Sequence, residues 1–151
     1  GGTYAGNAVS CAAAVAVQDA LKEENILENV QARSTELFSA LNALRYDPAL
    51  SPHILDIRGR GLMVGVEFAS PSYSAHDVLS PSSTGAHPEV QHPKNMASRV
   101  AKKCIEKGML ILTTSVYEVV RFIPPLNVTP EDMRKGCSIF GEAVREVVKE
   151  G

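Results

Sequence analysis

The sequence predicts an α+β domain, a sheet of three or four mainly antiparallel strands with helices on one face. Three observations carry this. Apolar residues recur at helical spacing in four separated segments, and Leu62, Val64, Val66 and Phe68 alternate at the period of a strand. The elements fall in the order helix, helix, strand, strand, loop, helix, strand, strand, helix, which fits helices packed on a sheet. No internal repeat is present.

The first helix is expected over Ala8 to about Leu21. Ala12, Ala13, Ala14, Ala16 and Ala20 are strong helix formers, and Val9, Val15 and Val17 add bulk. It is apolar most of the way round, so it is expected to be buried. Lys22, Glu23, Glu24 and Asn25 form a polar break. A second helix covers Ile26 to Leu44, with Ile26, Val30, Leu37, Leu41 and Leu44 on one face. Asp47, Pro48, Ser51 and Pro52 end it.

Two strands follow, Ile54 to Arg58 and Leu62 to Phe68, joined through Gly59 and Gly61. Residues 70–94 then change character, with Pro71, Pro81, Pro88 and Pro93, many serines and three of the four histidines. Such a segment buries little apolar surface and reads as a long surface loop or partly disordered insertion. The next helix spans Asn95 to Lys107, with Ala97, Val100, Ala101, Cys104 and Ile105 inward and Gly108 as its C-terminal cap. Met109 to Thr113 reads as a buried strand and Tyr117 to Ile123 as another, stopped by Pro124 and Pro125. Thr129, Pro130, Glu131 and Asp132 open the last helix, which runs to about Lys149. Its stripe is Met133, Cys137, Phe140, Val144, Val147 and Val148.

Composition excludes several classes of function. The 151 residues are 44% hydrophobic and 21% charged, and the net charge is −2, which advertises neither nucleic acid nor an anionic membrane as partner. The longest nearly apolar run, Val9 to Val17, is too short to span a bilayer. Cys11, Cys104 and Cys137 each sit in an apolar helical pattern and read as buried, reduced thiols.

Few residues carry a chemical signal. Gly1-Gly2-Thr3-Tyr4-Ala5-Gly6-Asn7 is a glycine-rich loop running into a helix, where free N–H groups and the positive end of the dipole favour an anion such as phosphate. Thr3 taken alone is equally a helix-start residue. Arg121 stands alone in Val119-Val120-Arg121-Phe122-Ile123. Its guanidinium is costly to desolvate there unless an anion meets it, either an acid of this chain or a substrate carboxylate. Arg58-Gly59-Arg60-Gly61-Leu62-Met63-Val64-Gly65 imitates a dinucleotide fingerprint, but its spacing is off by one and a strand follows it. A tight turn or bulge is the better reading. His76, His87 and His92 match no metal-ligand spacing and read as solvated loop residues, so no metal site is expected. Nucleophile elbows and phosphate-binding loops with their lysine are absent.

Taken together, the glycine loop with Ser10-Cys11-Ala12-Ala13-Ala14 resembles the hallmark segment of class III pyridoxal-phosphate aminotransferases, which include 4-aminobutyrate, ornithine and acetylornithine aminotransferases. Ile57 to Met63, Lys107 to Leu112, Val120 to Leu126 and Thr129 to Glu131 resemble later segments of that family in the right order. The resemblance implies the small C-terminal domain of a fold-type I enzyme, residues 22–151, with residues 1–21 as the end of the large domain and its connecting helix. It implies that Thr3, with Gly2, contacts the cofactor phosphate bound in the neighbouring subunit of a homodimer, and that Arg121 holds the carboxylate of the amino-acid or 2-oxo-acid substrate. No residue of this chain is expected to be catalytic. The family's cofactor-anchoring lysine lies upstream of the glycine loop, and the seven lysines here match no such motif. The chain, which opens on a functional loop without methionine, is therefore expected to be part of a longer transaminase, inactive and without tightly held pyridoxal phosphate by itself. A cytoplasmic location is expected, with the mitochondrion as the other compartment. The rival readings are another enzyme of the same fold and cofactor (a racemase, aminomutase or decarboxylase) and a non-catalytic α+β interaction domain.

Overall fold

The structure is a computed structural model that describes residues 2–71, 91–114 and 116–151. Its elements in chain order are α1 (Ala8–Glu23), α2 (Ile26–Arg45), a short 3-10 turn (Ser51–His53), β1 (Ile54–Arg60), β2 (Met63–Phe68), α3 (Met96–Glu106), β3 (Leu112–Thr113), β4 (Val119–Phe122) and α4 (Pro130–Glu150). The four strands form one antiparallel sheet in the order β1-β2-β4-β3. Class, order and antiparallel sense agree with the sequence expectation.

Helix boundaries follow local chemistry. Asn25 and Asn95, with φ of 51° and 53°, turn the chain through the left-handed region before α2 and α3, a conformation that asparagine tolerates better than most residues. Gly108 at φ 87° ends α3 in a Schellman motif, with Met109 N–H donating to Cys104 O at 2.8 Å and Gly108 N–H to Ile105 O at 2.9 Å. Thr129 caps α4 by accepting from Asp132 N–H at 3.1 Å, while its hydroxyl donates to the Asp132 carboxylate at 2.7 Å.

The core lies between one sheet face and α2, α3 and α4. Leu37 and Leu41, Leu62, Val64, Val66 and Phe68, Val100 and Cys104, and Phe140, Val144 and Val147 meet there, all buried. Phe140 stands edge-on to Phe122 with ring centres 4.9 Å apart. β1 turns into β2 through Gly61 and Leu62, Gly61 having φ 58°. That is the turn anticipated for the false fingerprint.

Four expectations are corrected. α1 has no buried residue, and Val9, Val15 and Val17 are exposed, because it packs chiefly along α2, which leaves these apolar side chains uncovered. Met109 to Thr113 is not a buried strand. Only Leu112–Thr113 pairs, at the sheet edge, and Leu110 is 87% exposed. Ile105 is exposed, since it lies one position round the helix from the buried stripe that ends at Cys104. Cys11 is likewise exposed, whereas Cys104 is buried and Cys137 half-buried; all three are free thiols. Most of the loop expected over residues 70–94, with His76 and His87, lies outside the described residues. No described helix is long and apolar enough to cross a membrane.

Candidate functional site

Residues 2–7 fold as consecutive turns, with Ala5 N–H donating to Gly2 O at 2.9 Å and Asn7 N–H to Tyr4 O at 3.3 Å. Asn7 is the N-cap of α1. Its side-chain oxygen accepts from Val9 N–H at 3.0 Å and Ser10 N–H at 3.2 Å. Two of the N–H groups expected to be free for an anion are thus already taken by the protein's own cap. Thr3 plays no capping part. It is exposed, and its hydroxyl makes no hydrogen bond to another described residue.

Arg121 occupies the middle of β4, on the face opposite the core residues Val120 and Phe122. It pairs with Gly65 on β2 and Leu112 on β3, and Gly65 pairs in turn with Arg58 on β1. One sheet row therefore carries two guanidiniums. Arg58 is neutralised, donating to Asp56 at 3.0 Å and to Glu67. The Glu67 hydrogen bond, reinforced by Asp56, holds the Arg58 guanidinium firmly in its charged form. Arg121 makes no ion pair with any described acid, and its Nε is buried without a hydrogen-bond partner. A buried, unsatisfied N–H on a permanently charged group costs of order 1–3 kcal/mol, and such a group calls for an explanation.

Arg121 also lines a cavity of about 280 Å³ with Ile111, Phe122, Pro124, Pro125 and Met133, beneath the first turn of α4. The lining contains no lysine and none of residues 2–7, so Thr3 and Arg121 do not meet in one pocket of this chain. Lys103 and Lys107 sit in an ion-pair ladder between α3 and α4, reaching Glu150 and Glu146 at 2.7 Å each. Their hydrogen bonds to Glu150 and Glu146 raise both amines above the usual lysine value, the reverse of what an imine-forming amine needs.

Among the described residues no group of three or more His, Cys, Asp or Glu is arranged to hold a metal. His92 is not a solvated loop residue. It is half-buried, with its Nδ1 3.3 Å from Nδ1 of the buried His53, and burial lowers both pKa values, His92 adding to the effect at His53. Burial pushes the Cys104 thiol up to about 11, which makes it a structural rather than a reactive group.

Sequence reasoning missed one polar assembly beside this site. Asn29, Arg33 and Glu36 lie on one face of α2, and Asn29 reaches the segment between β4 and α4. The spacing of four and three residues was the only available signal.

The description "Aminotransferase class-III" belongs to the family model that matches residues 1–144. Acetylornithine aminotransferase of Clostridium acetobutylicum is 34% identical over 146 residues, covering 96% of this chain and 30% of the relative. Gamma aminobutyrate transaminase 1, mitochondrial, of Solanum lycopersicum is 33% identical over 150 residues, covering 99% of this chain and 25% of the relative. Among solved structures, adenosylmethionine-8-amino-7-oxononanoate aminotransferase from Methanocaldococcus jannaschii superposes with a TM-score of 0.72 at 29% identity, covering 97% of this chain and 30% of that one. The chain thus spans less than a third of the length of the relatives it matches.

Proposed function

The chain belongs to the class-III aminotransferase family, and on that premise we propose that it is the C-terminal part of a transaminase moving an amino group from an amino acid or ω-amino acid, 4-aminobutyrate-like, to a 2-oxo acid. Residues 1–21 are the end of the large domain and its connecting helix, which accounts for the exposed apolar sides of α1. Residues 22–151 are the small domain.

The cofactor implied is pyridoxal phosphate, which supplies an electron sink for breaking a bond at the amino-bearing carbon. The residues present fit one corner of its site. The Thr3 hydroxyl is exposed and unengaged, as a donor to a phosphate must be, and Gly2 beside it presents backbone without a side chain. With Asn7 capping α1, the hydroxyl rather than the helix N-terminus is the group offered. In the proposed homodimer this hydroxyl reaches the phosphate held by the neighbouring subunit.

Arg121 binds and orients the substrate. The observation that carries this is its buried, partnerless Nε on a sheet face where Arg58 is already paired. A planar fork of N–H donors suits a carboxylate bidentately, and the bound anion would satisfy the guanidinium. No residue of this chain moves a proton at the reacting carbon. On the family resemblance, in which the cofactor-anchoring lysine lies upstream of the glycine loop, the chain by itself is expected to be inactive and to keep no cofactor through dialysis; Lys103 and Lys107 are engaged by Glu150 and Glu146.

The test is substrate selectivity in the enzyme that carries this chain. Arg121→Ala should weaken carboxylate donors about 10- to 100-fold, the worth of a charge-assisted hydrogen bond, and spare amines that lack a carboxylate. Equal damage to both kinds of donor contradicts the assignment. Stoichiometric consumption of a 2-oxo acid identifies the reaction as transamination.

A further inference from the structure

The segment that leaves β4 for α4, residues 123–128, has few means of holding its own shape. Pro124 and Pro125 have no N–H to donate. The backbone hydrogen bond within it runs from Val128 N–H to Pro125 O at 3.0 Å. The segment is fixed instead from α2, by one side chain nearly a hundred residues away in sequence. Asn29 Nδ2 donates to Leu126 O at 2.9 Å and to Val128 O at 3.1 Å. A carboxamide has two N–H donors, so both are spent on this one turn.

The asparagine is itself oriented. Its Oδ1 accepts from Arg33 Nη1 at 3.4 Å, which sets the amide's N–H groups toward the segment. Arg33 in turn pairs with Glu36 at 2.6 Å, the arginine side chain being only 12% exposed. Arg33 Nε and Glu36 Oε2 are buried without partners. Apolar side chains of similar size would pack this helix face without leaving polar atoms unsatisfied. The ladder is better explained by the geometry it imposes than by stability. That geometry concerns the site, because Pro124, Pro125 and Val128 of the clasped segment line the same cavity as Arg121.

We infer that Asn29 is a positioning residue for Arg121, its two donations holding the exit of β4, and with it the guanidinium, at a fixed place for the substrate carboxylate. The inference rests on the carboxylate role proposed for Arg121. Asn29→Asp isolates the effect. It preserves size, replaces the doubly donating amide nitrogen with an oxygen that repels the two carbonyl oxygens, and gains an ion pair with Arg33 four residues on, which supports α2.

The experiment uses the intact enzyme and the half-reaction with a single amino donor, so that no acceptor carboxylate enters, comparing 4-aminobutyrate with butylamine. Asn29→Asp should raise the half-saturating concentration of 4-aminobutyrate roughly tenfold, less than the ~100-fold that a displacement of about 1 Å can cost. The limiting rate and the butylamine reaction should stay close to those of the parent. Asn29→Gln, which keeps both donors on a longer arm, should recover part of the loss. Where Asn29→Asp does not fold, Asn29→Ala is read by the same criteria. Equal loss with both donors, or no loss with either, overturns the inference when Arg121→Ala in the same assay selectively impairs 4-aminobutyrate. If Arg121→Ala shows no such selectivity, the substrate assignment fails and this inference falls with it.

Discussion

Arg58 and Glu67 meet diagonally across the β1–β2 hairpin as a lopsided ion pair, the arginine side chain 54% exposed and the glutamate only 9%. Asp56 joins from the same strand as Arg58. This cluster divides the labour of one sheet face. It neutralises one arginine of the Arg58–Gly65–Arg121 row and leaves the other without an acid among the described residues.

The lopsidedness makes the two single substitutions unequal. Removing Arg58 strands a buried carboxylate, whereas removing Glu67 leaves an exposed cation still paired with Asp56. Arg58→Met should cost about 2 kcal/mol, discounted from the buried-pair range because the arginine is half in water, and Glu67→Gln about 1 kcal/mol. Urea unfolding of the two variants checks the order. A reversed order would show that the Glu67 carboxylate is not the group that needs compensation.

Gly59 is fixed by space as well as by dihedral angle. A Cβ placed there would lie 2.2 Å from Met63 O, a backbone atom that cannot swing aside, and φ is 158°. At Gly65 the nearest neighbour would be Val119 Cγ1 at 3.5 Å, an ordinary contact. Gly59→Ala should therefore destabilise by about 2 kcal/mol or more and Gly65→Ala by about 0.5 kcal/mol or less. Melting curves for the pair decide it.

The His53–His92 contact gives stability a pH dependence of known sign. Both folded pKa values lie below the ordinary histidine value, because burial disfavours the charged ring and, at His53, the neighbouring ring adds to this. The unfolded chain then binds more protons than the folded one between the depressed values and about 6.5. The contribution is fully present above about pH 6.5 and is lost as pH falls through the folded values. Its slope is at most about 1.4 kcal/mol per pH unit for each imidazole. Hydrogen bonds to Lys107 and Lys103 lower Glu146 and Glu150 from 4.5, so these carboxylates act further down the scale. The denaturation midpoint should fall between pH 7 and pH 5, and His92→Gln should flatten that fall. An unchanged slope in His92→Gln would remove the pair as its cause.

Much of this protein follows from local sequence. Thr129-Pro130-Glu131-Asp132 starts a helix because hydroxyl, ring and acids each answer a need of a helix N-terminus, and Gly108 ends one because only glycine takes φ 87° without strain. Period-two alternation placed Leu62, Val64, Val66 and Phe68 inward, and period-3.6 spacing did the same for Leu37, Leu41, Phe140 and Val144. Arg121 was conspicuous by itself, as a charge in an apolar strand.

Other features required the chain to fold. The order β1-β2-β4-β3 leaves Leu112–Thr113 at the sheet edge, so an apolar run that reads as a buried strand is exposed. α3 receives its N-terminal carboxylate from Glu118, which accepts from Ala97 N–H at 2.8 Å across 21 residues, while Asn95 makes no side-chain cap. Asn29 clasps carbonyls 97 and 99 residues away. Sequence pattern by itself determined where backbone dihedrals favour helix, strand or turn and which face of each element is apolar. Tertiary structure alone decided which surface covers each face and which donor meets each acceptor, because those partners are brought together by packing and not by proximity along the chain.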